Sequence, residues 1–168
     1  MSLATRAAYR IRQVFASLGT SLSPQERQIV GAHLSQEQQR LFYAMAARDQ
    51  RHCLDVFHAL EAGGCQDEEV LLAALLHDVG KGPVSLWHRA AYVLLKAIWP
   101  RLLARVAQPE GRGWRWAMAS LEDHAARSAT LAEAAGAPAT VVELIRHHQR
   151  ADADDGRLAL LREADDSC

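Results

Sequence analysis

One segment of this chain constrains its fold more than any other: an apolar run that ends in metal-competent side chains, Leu75-Leu76-His77-Asp78-Val79-Gly80-Lys81. Alanine and leucine dominate the residues just before it, so the segment is expected to lie in the core. Burying an imidazole beside a carboxylate costs free energy unless a partner neutralises both groups. A bound metal ion would do so. The segment therefore predicts a core helix that ends at a metal site.

The remaining sequence is typical of helices. Alternating β-branched runs do not occur, while alanine, leucine, glutamate, glutamine and arginine dominate. Ser23-Pro24 is typical of a helix start, and Ser35 with Gln38 has the spacing of a capping box. Gly63-Gly64 and Asp67 indicate the end of one helix and the start of the next.

We therefore predict an all-α fold, a single-domain helical bundle over residues 1–168. The predicted helices cover about 4–18, a short stretch from 24, about 35–61, 67–80, an amphipathic segment at 84–107 broken near Pro100, about 114–135, about 138–149, and a last helix that ends near Asp166.

Composition narrows the function classes. The chain has a net charge of −1, which argues against a nucleic-acid-binding surface as its main role. Its three cysteines, Cys53, Cys65 and Cys168, are odd in number and lack C-x-x-C spacing, as is typical of reduced thiols. The N-terminus has no signal-peptide pattern. We expect a cytoplasmic protein.

Residues 84–107 form an apolar segment with two tryptophans, Trp87 and Trp99. Basic residues and Pro100 are spread through the segment, so we do not expect it to span a membrane. Most amphipathic helices of this kind pack on the protein or cover a site as a lid. Peripheral contact with a membrane surface is the alternative.

Further imidazoles and a carboxylate recur at the polar ends of segments whose other face is apolar. They are His52, His124, His147, His148 and Asp165. Neighbouring helical residues point about 100° apart, so His77 and Asp78 can both reach one compact site, where a carboxylate can bridge two cations. Imidazole and carboxylate ligands suit iron, manganese, zinc, nickel or cobalt better than calcium. The absence of thiolates excludes a structural zinc–sulfur site.

The ordered series His52…His77-Asp78…Asp165 resembles the HD-domain superfamily of metal-dependent phosphohydrolases. "LLHDVGK" is similar to the usual "LLHDIGK" of that family, and "HAARSATLAEAAGAP", "LIRHHQ" and "LLREADD" resemble the stretches that carry its later ligands. The resemblance covers about residues 45–168. It implies an HD-type helical core over that range, with N-terminal helices over about 4–34 packed on it.

The resemblance also implies a ligand set. The first metal would be held by His52, His77, Asp78 and Asp165. Asp78 would bridge to a second metal held by His124, His147 and His148. Asp165 is preferred to Asp166 because it follows Ala164, as the family pattern expects. The cofactors would be two divalent ions, with magnesium added to the candidates above.

The activity implied is hydrolysis of a phosphate ester or anhydride, of a nucleotide, by hydroxide bridged between the two cations. The partner would be this small phosphorylated molecule. Lys81 matches the family lysine that contacts a substrate phosphate, and His124 or His148 would relay a proton to the leaving oxygen. The catalytic set would be Asp78, Lys81, His124 and His148.

Two departures from the family pattern restrict this reading. After "HHQ" the chain lacks the G-Y-P signature of cyclic-di-GMP phosphodiesterases, which argues against that activity. Arg48 stands four residues before His52, where a trinuclear member has glutamate, and this favours two metals over three.

Two alternatives stay open. HD-fold proteins such as myo-inositol oxygenase use a similar ligand set to hold two irons that activate oxygen. A non-catalytic signalling module on the same scaffold is the other. Such modules usually lack the His-Asp pair, which this chain keeps at His77-Asp78.

Overall fold

The computed structural model describes residues 22–150 and 155–168, and within these ranges the chain forms ten helices and no strand. The prediction of an all-α fold is confirmed. The helix predicted over about 4–18 lies outside the described residues. The helices are α1 Pro24–His33, α2 Gln36–Ala44, α3 Ala47–Ala62, α4 Glu68–Leu76, α5 Leu86–Ile98, α6 Pro100–Val106, α7 Trp114–Glu122, α8 His124–Ala134, α9 Ala139–His147 and α10 Gly156–Ser167.

The predicted helix starts are confirmed. Ser23 and Ser35 each form a complete capping box, in which the serine hydroxyl accepts a backbone N–H and the side chain three residues later accepts the serine N–H. Asp67 accepts the N–H groups of Glu69 and Val70 and so caps α4. Gly64 has φ of 82°, a conformation that glycine adopts without steric cost, just after α3 ends.

The long helix predicted over about 35–61 is wrong. Two helices, α2 and α3, cover this range, and the backbone is extended at Met45 and Ala46 between them. The Gln50 side chain donates a hydrogen bond to the Met45 carbonyl at 2.9 Å, while the Ala46 carbonyl accepts the N–H groups that begin α3. No glycine or proline marks this break, so the local sequence does not reveal it.

Three other predicted helices also end early, for a shared reason. The helix expected to reach Gly80 ends at Leu76, the one expected over 114–135 is interrupted at Asp123, and the one expected to reach Gln149 ends at His147. At each end a histidine ring nitrogen bonds the carbonyl three residues earlier, which is an acceptor that a continuing helix would have used.

Helix α4 lies at the centre of the main core. Six of its nine residues are buried, and α1, α2, α3, α9 and α10 all contact it. An all-round apolar helix of this kind is stable only when other elements surround it. Because α4 is central, the residues that follow its last turn emerge inside the bundle.

A second, smaller core joins the 84–107 segment to the rest of the protein. Helices α5 and α6 pack against α7, and Val84, Leu103 and Met118 are buried between them. The predicted break at Pro100 is confirmed, since this proline begins α6. Within residues 22–150 and 155–168, no helix is long and apolar enough to cross a membrane.

Candidate metal centre

Three buried histidines share one local geometry. Each lies at or just after the end of a helix and donates its Nδ1 hydrogen to the backbone carbonyl three residues earlier. They are His77, His124 and His148, with Nδ1 to oxygen distances of 2.8, 2.7 and 2.7 Å. A ring held in this way presents Nε2 as its remaining nitrogen, which is the usual arrangement of a metal-binding histidine.

The Asp78 carboxylate lies at the centre of these rings. Its Oδ1 atom is 3.5 Å from Nε2 of His77 and 3.5 Å from Nε2 of His124. Its Oδ2 atom is 3.8 Å from Nε2 of His52 and accepts a hydrogen bond from the Lys81 ammonium. Its two oxygens therefore have different imidazole neighbours.

Asp165 approaches the same place from α10, near the end of the chain. Its Oδ1 atom is 2.8 Å from Nε2 of His52 and 3.6 Å from Nε2 of His77. The neighbouring carboxylate, Asp166, is exposed to solvent. The structure thus brings Asp165 to the His77-Asp78 corner, although 87 residues separate Asp78 from Asp165 in the sequence.

Three buried polar atoms in this cluster have no hydrogen-bond partner: Nε2 of His77, Oδ1 of Asp78 and Nε2 of His148. Leaving such atoms unpaired costs about 1–3 kcal/mol each, more when the group is charged. Three overlapping groups of side chains could each hold a metal ion, because within each group the candidate ligand atoms lie within 4.8 Å of one another. The groups are His52–His77–Asp78, His77–His148–Asp165 and Asp78–His124–His148.

Electrostatics suit His124, His148 and Asp78 to a divalent cation. Burial lowers the pKa of His124 to about 3 and that of His148 to about 4, with the nearby charges of Lys81 and His77 respectively acting in the same direction. Both rings are therefore neutral at neutral pH and keep a lone pair on Nε2. Burial alone would raise the pKa of Asp78, but the neighbouring His77 and Lys81 hold it well below its usual range. The donor set fits a metal ion.

A family model described as "HD domain" matches residues 44–167 of the chain. The chain belongs to the HD-domain family. No curated protein and no solved structure matches it. The HD-domain match spans every residue of the three groups above, from His52 to Asp165. HD domains are commonly metal-dependent hydrolases of the phosphohydrolase type, and they bind divalent metals.

The structure does not bring His147 into this HD-domain cluster. Its Nε2 atom is 3.2 Å from Oε2 of Glu143 on the outer surface of α9, and its side chain is 32% exposed. His148 follows the end of α9 and turns inward, where its ring contacts those of His77 and His124. At the end of α9 the two side chains point in different directions, and of this adjacent pair only His148 reaches the site.

Lys81 places positive charge beside the cluster, and Arg127 is linked to the Lys81 backbone through Ser120. The charge of Asp78 outweighs the effect of burial and raises the pKa of Lys81, so the ammonium stays charged at neutral pH. Arg127 donates to the Ser120 hydroxyl, which in turn donates to the Lys81 carbonyl, and its guanidinium lies 5.8 Å from the ring centroid of Trp116. The loop that carries Lys81 is thus tied to α7 and α8.

Sequence reasoning missed two contacts of the site. The Gln149 amide nitrogen lies 3.1 Å from Nε2 of His124, so this side chain covers the ring at the edge of the cluster. Gly80 passes so close to α8 that its N–H donates to the Ser128 hydroxyl at 2.8 Å. The glycine stood in the motif and was visible in the sequence. The identity of its neighbour was not, because 48 residues separate the two.

Proposed function

We propose that this HD-domain protein is a metal-dependent phosphohydrolase that cleaves a phosphate ester or anhydride of a nucleotide. One observation carries the proposal: unpartnered nitrogen and oxygen atoms of His77, Asp78 and His148 meet in the buried centre of the bundle. Buried polar atoms without a hydrogen-bond partner destabilise a protein core unless a ligand satisfies them. A positively charged lysine, Lys81, stands beside them and suits an anionic substrate.

We propose further that two cations bind. Asp78 belongs to two of the three ligand groups, and its oxygens have different neighbours, His52 on one side and His124 on the other. His52 and Asp165 would hold one ion, and His124 and His148 the other, with His77 and Asp78 between them. When bound, a pair of divalent ions lowers the pKa of water and stabilises negative charge on phosphoryl oxygens.

The protein side chains would have separate roles. The Lys81 ammonium would give up part of its contact with Asp78 and donate a charge-assisted hydrogen bond to a substrate phosphate. His124 and His148 are neutral rings with low pKa values, which favours a ligand role for both. A proton relay through either ring stays a prediction. Asp78 is 1% exposed and His77 is fully buried, whereas the side chains of His52 and Asp165 are 23% and 24% exposed, so substrate and water would reach the cluster from their side.

The test compares adjacent histidines. The full chain, purified without chelator, is analysed for bound metal and assayed on nucleotides and phosphodiesters with added manganese, iron, nickel or magnesium. We expect His77→Ala, Asp78→Ala and His148→Ala to lose metal and turnover, and His147→Ala to keep both, because only His148 reaches the cluster. Full activity of Asp78→Ala without bound metal would contradict the proposal.

The same samples separate the two alternatives. A di-iron oxygenase would consume oxygen in step with substrate loss and would not hydrolyse a phosphate ester or anhydride bond of a nucleotide. A non-catalytic module would show an empty site and no turnover with any of the added metals. Cleavage of a phosphate ester without oxygen uptake would exclude both alternatives and support the phosphohydrolase.

A further inference from the structure

Helix α5 carries an apolar stripe on the side that faces solvent. Trp87, Leu94 and Ile98 are 82%, 45% and 58% exposed. At 100° per residue these three positions lie within about 40° of one another around the helix. Trp99 and Leu102, 61% and 44% exposed, extend the stripe across the junction with α6. We call these five residues the hairpin face. They are five of the nine exposed large hydrophobic side chains within residues 22–150 and 155–168.

The opposite side of α5 buries a charge. Arg89 is 8% exposed and forms two hydrogen bonds with the buried Asp49 carboxylate of α3, at 2.8 and 2.7 Å. Amphipathic helices on a protein surface normally turn their apolar stripe inward and their charges outward. Helix α5 instead has apolar residues on both sides: Tyr92 and Leu95 pack against the second core, and the Arg89–Asp49 ion pair attaches the inward side to α3. The exposed stripe is therefore fixed by the fold, and an apolar patch of this kind indicates a binding surface.

The charged side chains that the stretch 84–107 contributes to this surface all have one sign. The stretch 84–107 contains no aspartate or glutamate. Arg101 and Arg105 are exposed on α6, beside the apolar stripe. Lys96 lies on the flank of α5, where it bonds the Tyr92 hydroxyl and lies 3.4 Å from Glu122. Tryptophans at both ends of an apolar stripe, bordered by arginines, suit the boundary between lipid headgroups and acyl chains.

We propose that the hairpin face docks this protein on an anionic membrane surface. Trp87, Leu94, Ile98 and Trp99 would enter the headgroup region, while Arg101 and Arg105 would bind acidic lipid headgroups. A second copy of the chain fits this face poorly. A two-fold contact would bring the arginines of both copies together, and the 84–107 stretch has no acidic residue to pair with them.

The experiment is vesicle flotation of the full chain with phosphatidylcholine alone and with phosphatidylcholine plus phosphatidylglycerol. We expect binding to the anionic vesicles that weakens as salt is added. The double variants Trp87→Ser with Ile98→Ser, and Arg101→Gln with Arg105→Gln, should each reduce binding about tenfold or more. Matched controls remove exposed side chains elsewhere, Tyr43→Ser with Leu160→Ser and Arg27→Gln with Arg40→Gln, and should bind as the unchanged protein does.

Thermal unfolding of each variant shows that it is folded, so a loss of flotation reports on the surface. Failure of the unchanged protein to float with anionic vesicles would overturn the proposal, as would flotation that both test variants retain. A dimer that forms without vesicles and that dissociates in the variant Trp87→Ser with Ile98→Ser would also overturn the proposal, because it would show that a second copy of the chain binds the hairpin face. None of these readouts depends on hydrolytic activity.

Discussion

Individual residues at the centre are constrained by their nearest backbone neighbours. Three histidine rings each donate a hydrogen bond from Nδ1 to a backbone carbonyl of the preceding helix. This hydrogen bond occupies the last turn of the helix and directs Nε2 inward. The same residue thus sets the local structure and offers a candidate ligand atom. Gly80 has a comparable double constraint, because it follows Asp78 by two residues and touches α8.

We predict that Gly80→Ala destabilises the protein and weakens metal binding. A Cβ atom at this position would lie 2.5 Å from the Ser128 backbone nitrogen and 2.7 Å from the His124 carbonyl oxygen. Backbone cannot move aside without shifting α8, so we expect a loss of about 1–3 kcal/mol in the free energy of unfolding. Urea unfolding and metal analysis of the purified variant measure the two effects.

Gly31→Ala is the matched control for that change. Gly31 lies within α1, and a Cβ there would meet nothing within 4 Å. Alanine in an open helical position should raise the free energy of unfolding by about 0.5–1 kcal/mol. If Gly80→Ala is as well tolerated as Gly31→Ala, the close contact with α8 is not what requires glycine in this motif.

At the scale of helices, ion pairs join elements that are distant in the sequence. The Arg51 guanidinium of α3 lies 2.6 Å from the Glu26 carboxylate in the first turn of α1. That carboxylate also accepts the Ser23 N–H of the capping box. One side chain therefore completes the start of α1 and attaches it to the helix that carries His52.

This pair predicts a stability that depends on pH. The hydrogen bond from Arg51 is the largest influence on Glu26 and, with Ser23 and against the effect of burial, lowers its pKa from 4.5 to about 2. A lowered pKa in the folded state stabilises the protein above the unfolded pKa, and the stabilisation is lost as the pH falls towards about 2. Glu26→Gln, which keeps a capping-box residue, should lower the free energy of unfolding at neutral pH by about 1–3 kcal/mol.

The difference between Glu26→Gln and the unchanged protein should narrow as the pH is lowered below about 4.5 in denaturant titrations. Glu37→Gln provides the control, since its ion pair with Arg40 is exposed on both sides and such pairs contribute about 0–1 kcal/mol. A difference that stays constant from neutral to acidic pH would show that the Glu26 charge is not what stabilises the junction.

Across the whole molecule, the candidate centre brings together side chains from five helices or from the residues that directly follow them. His52 comes from α3, His77 and Asp78 follow α4, His124 begins α8, His148 follows α9, and Asp165 comes from α10. A ligand held by all of them would connect the first and last parts of the core. Its binding energy would then stabilise the folded bundle.

We therefore predict that manganese raises the melting temperature and that a chelator reverses the effect. At a free metal concentration about one hundred times the dissociation constant, the stabilisation would be about 2.7 kcal/mol. Differential scanning fluorimetry measures the shift. Asp78→Asn should abolish it, whereas His147→Ala should keep it, because the His147 ring faces Glu143 outside the cluster. Equal shifts in melting temperature for both variants would show that the metal binds elsewhere.

Much of the fold could be predicted from short-range patterns. The serines at 23 and 35, the paired glycines at 63 and 64, and Pro100 act through bonds within a few residues, and all mark helix boundaries where expected. The break at Met45-Ala46 depends on a side chain five residues away and on packing, so the helical preference of this stretch concealed it. The single domain and the cytoplasmic location stay predictions.

The amino-acid sequence by itself determined which side chains can bind a metal and that the chain would be helical, because ligand chemistry and helix preference belong to residue types and short spacings. Tertiary structure decided which of those side chains meet. His148 turns inward while His147 stays outside, and Asp165 reaches His52 across 113 positions, because the packing around α4 sets the direction of each helix end. It also decided that α5 buries Arg89 and exposes Trp87, since Asp49 on another helix holds the arginine.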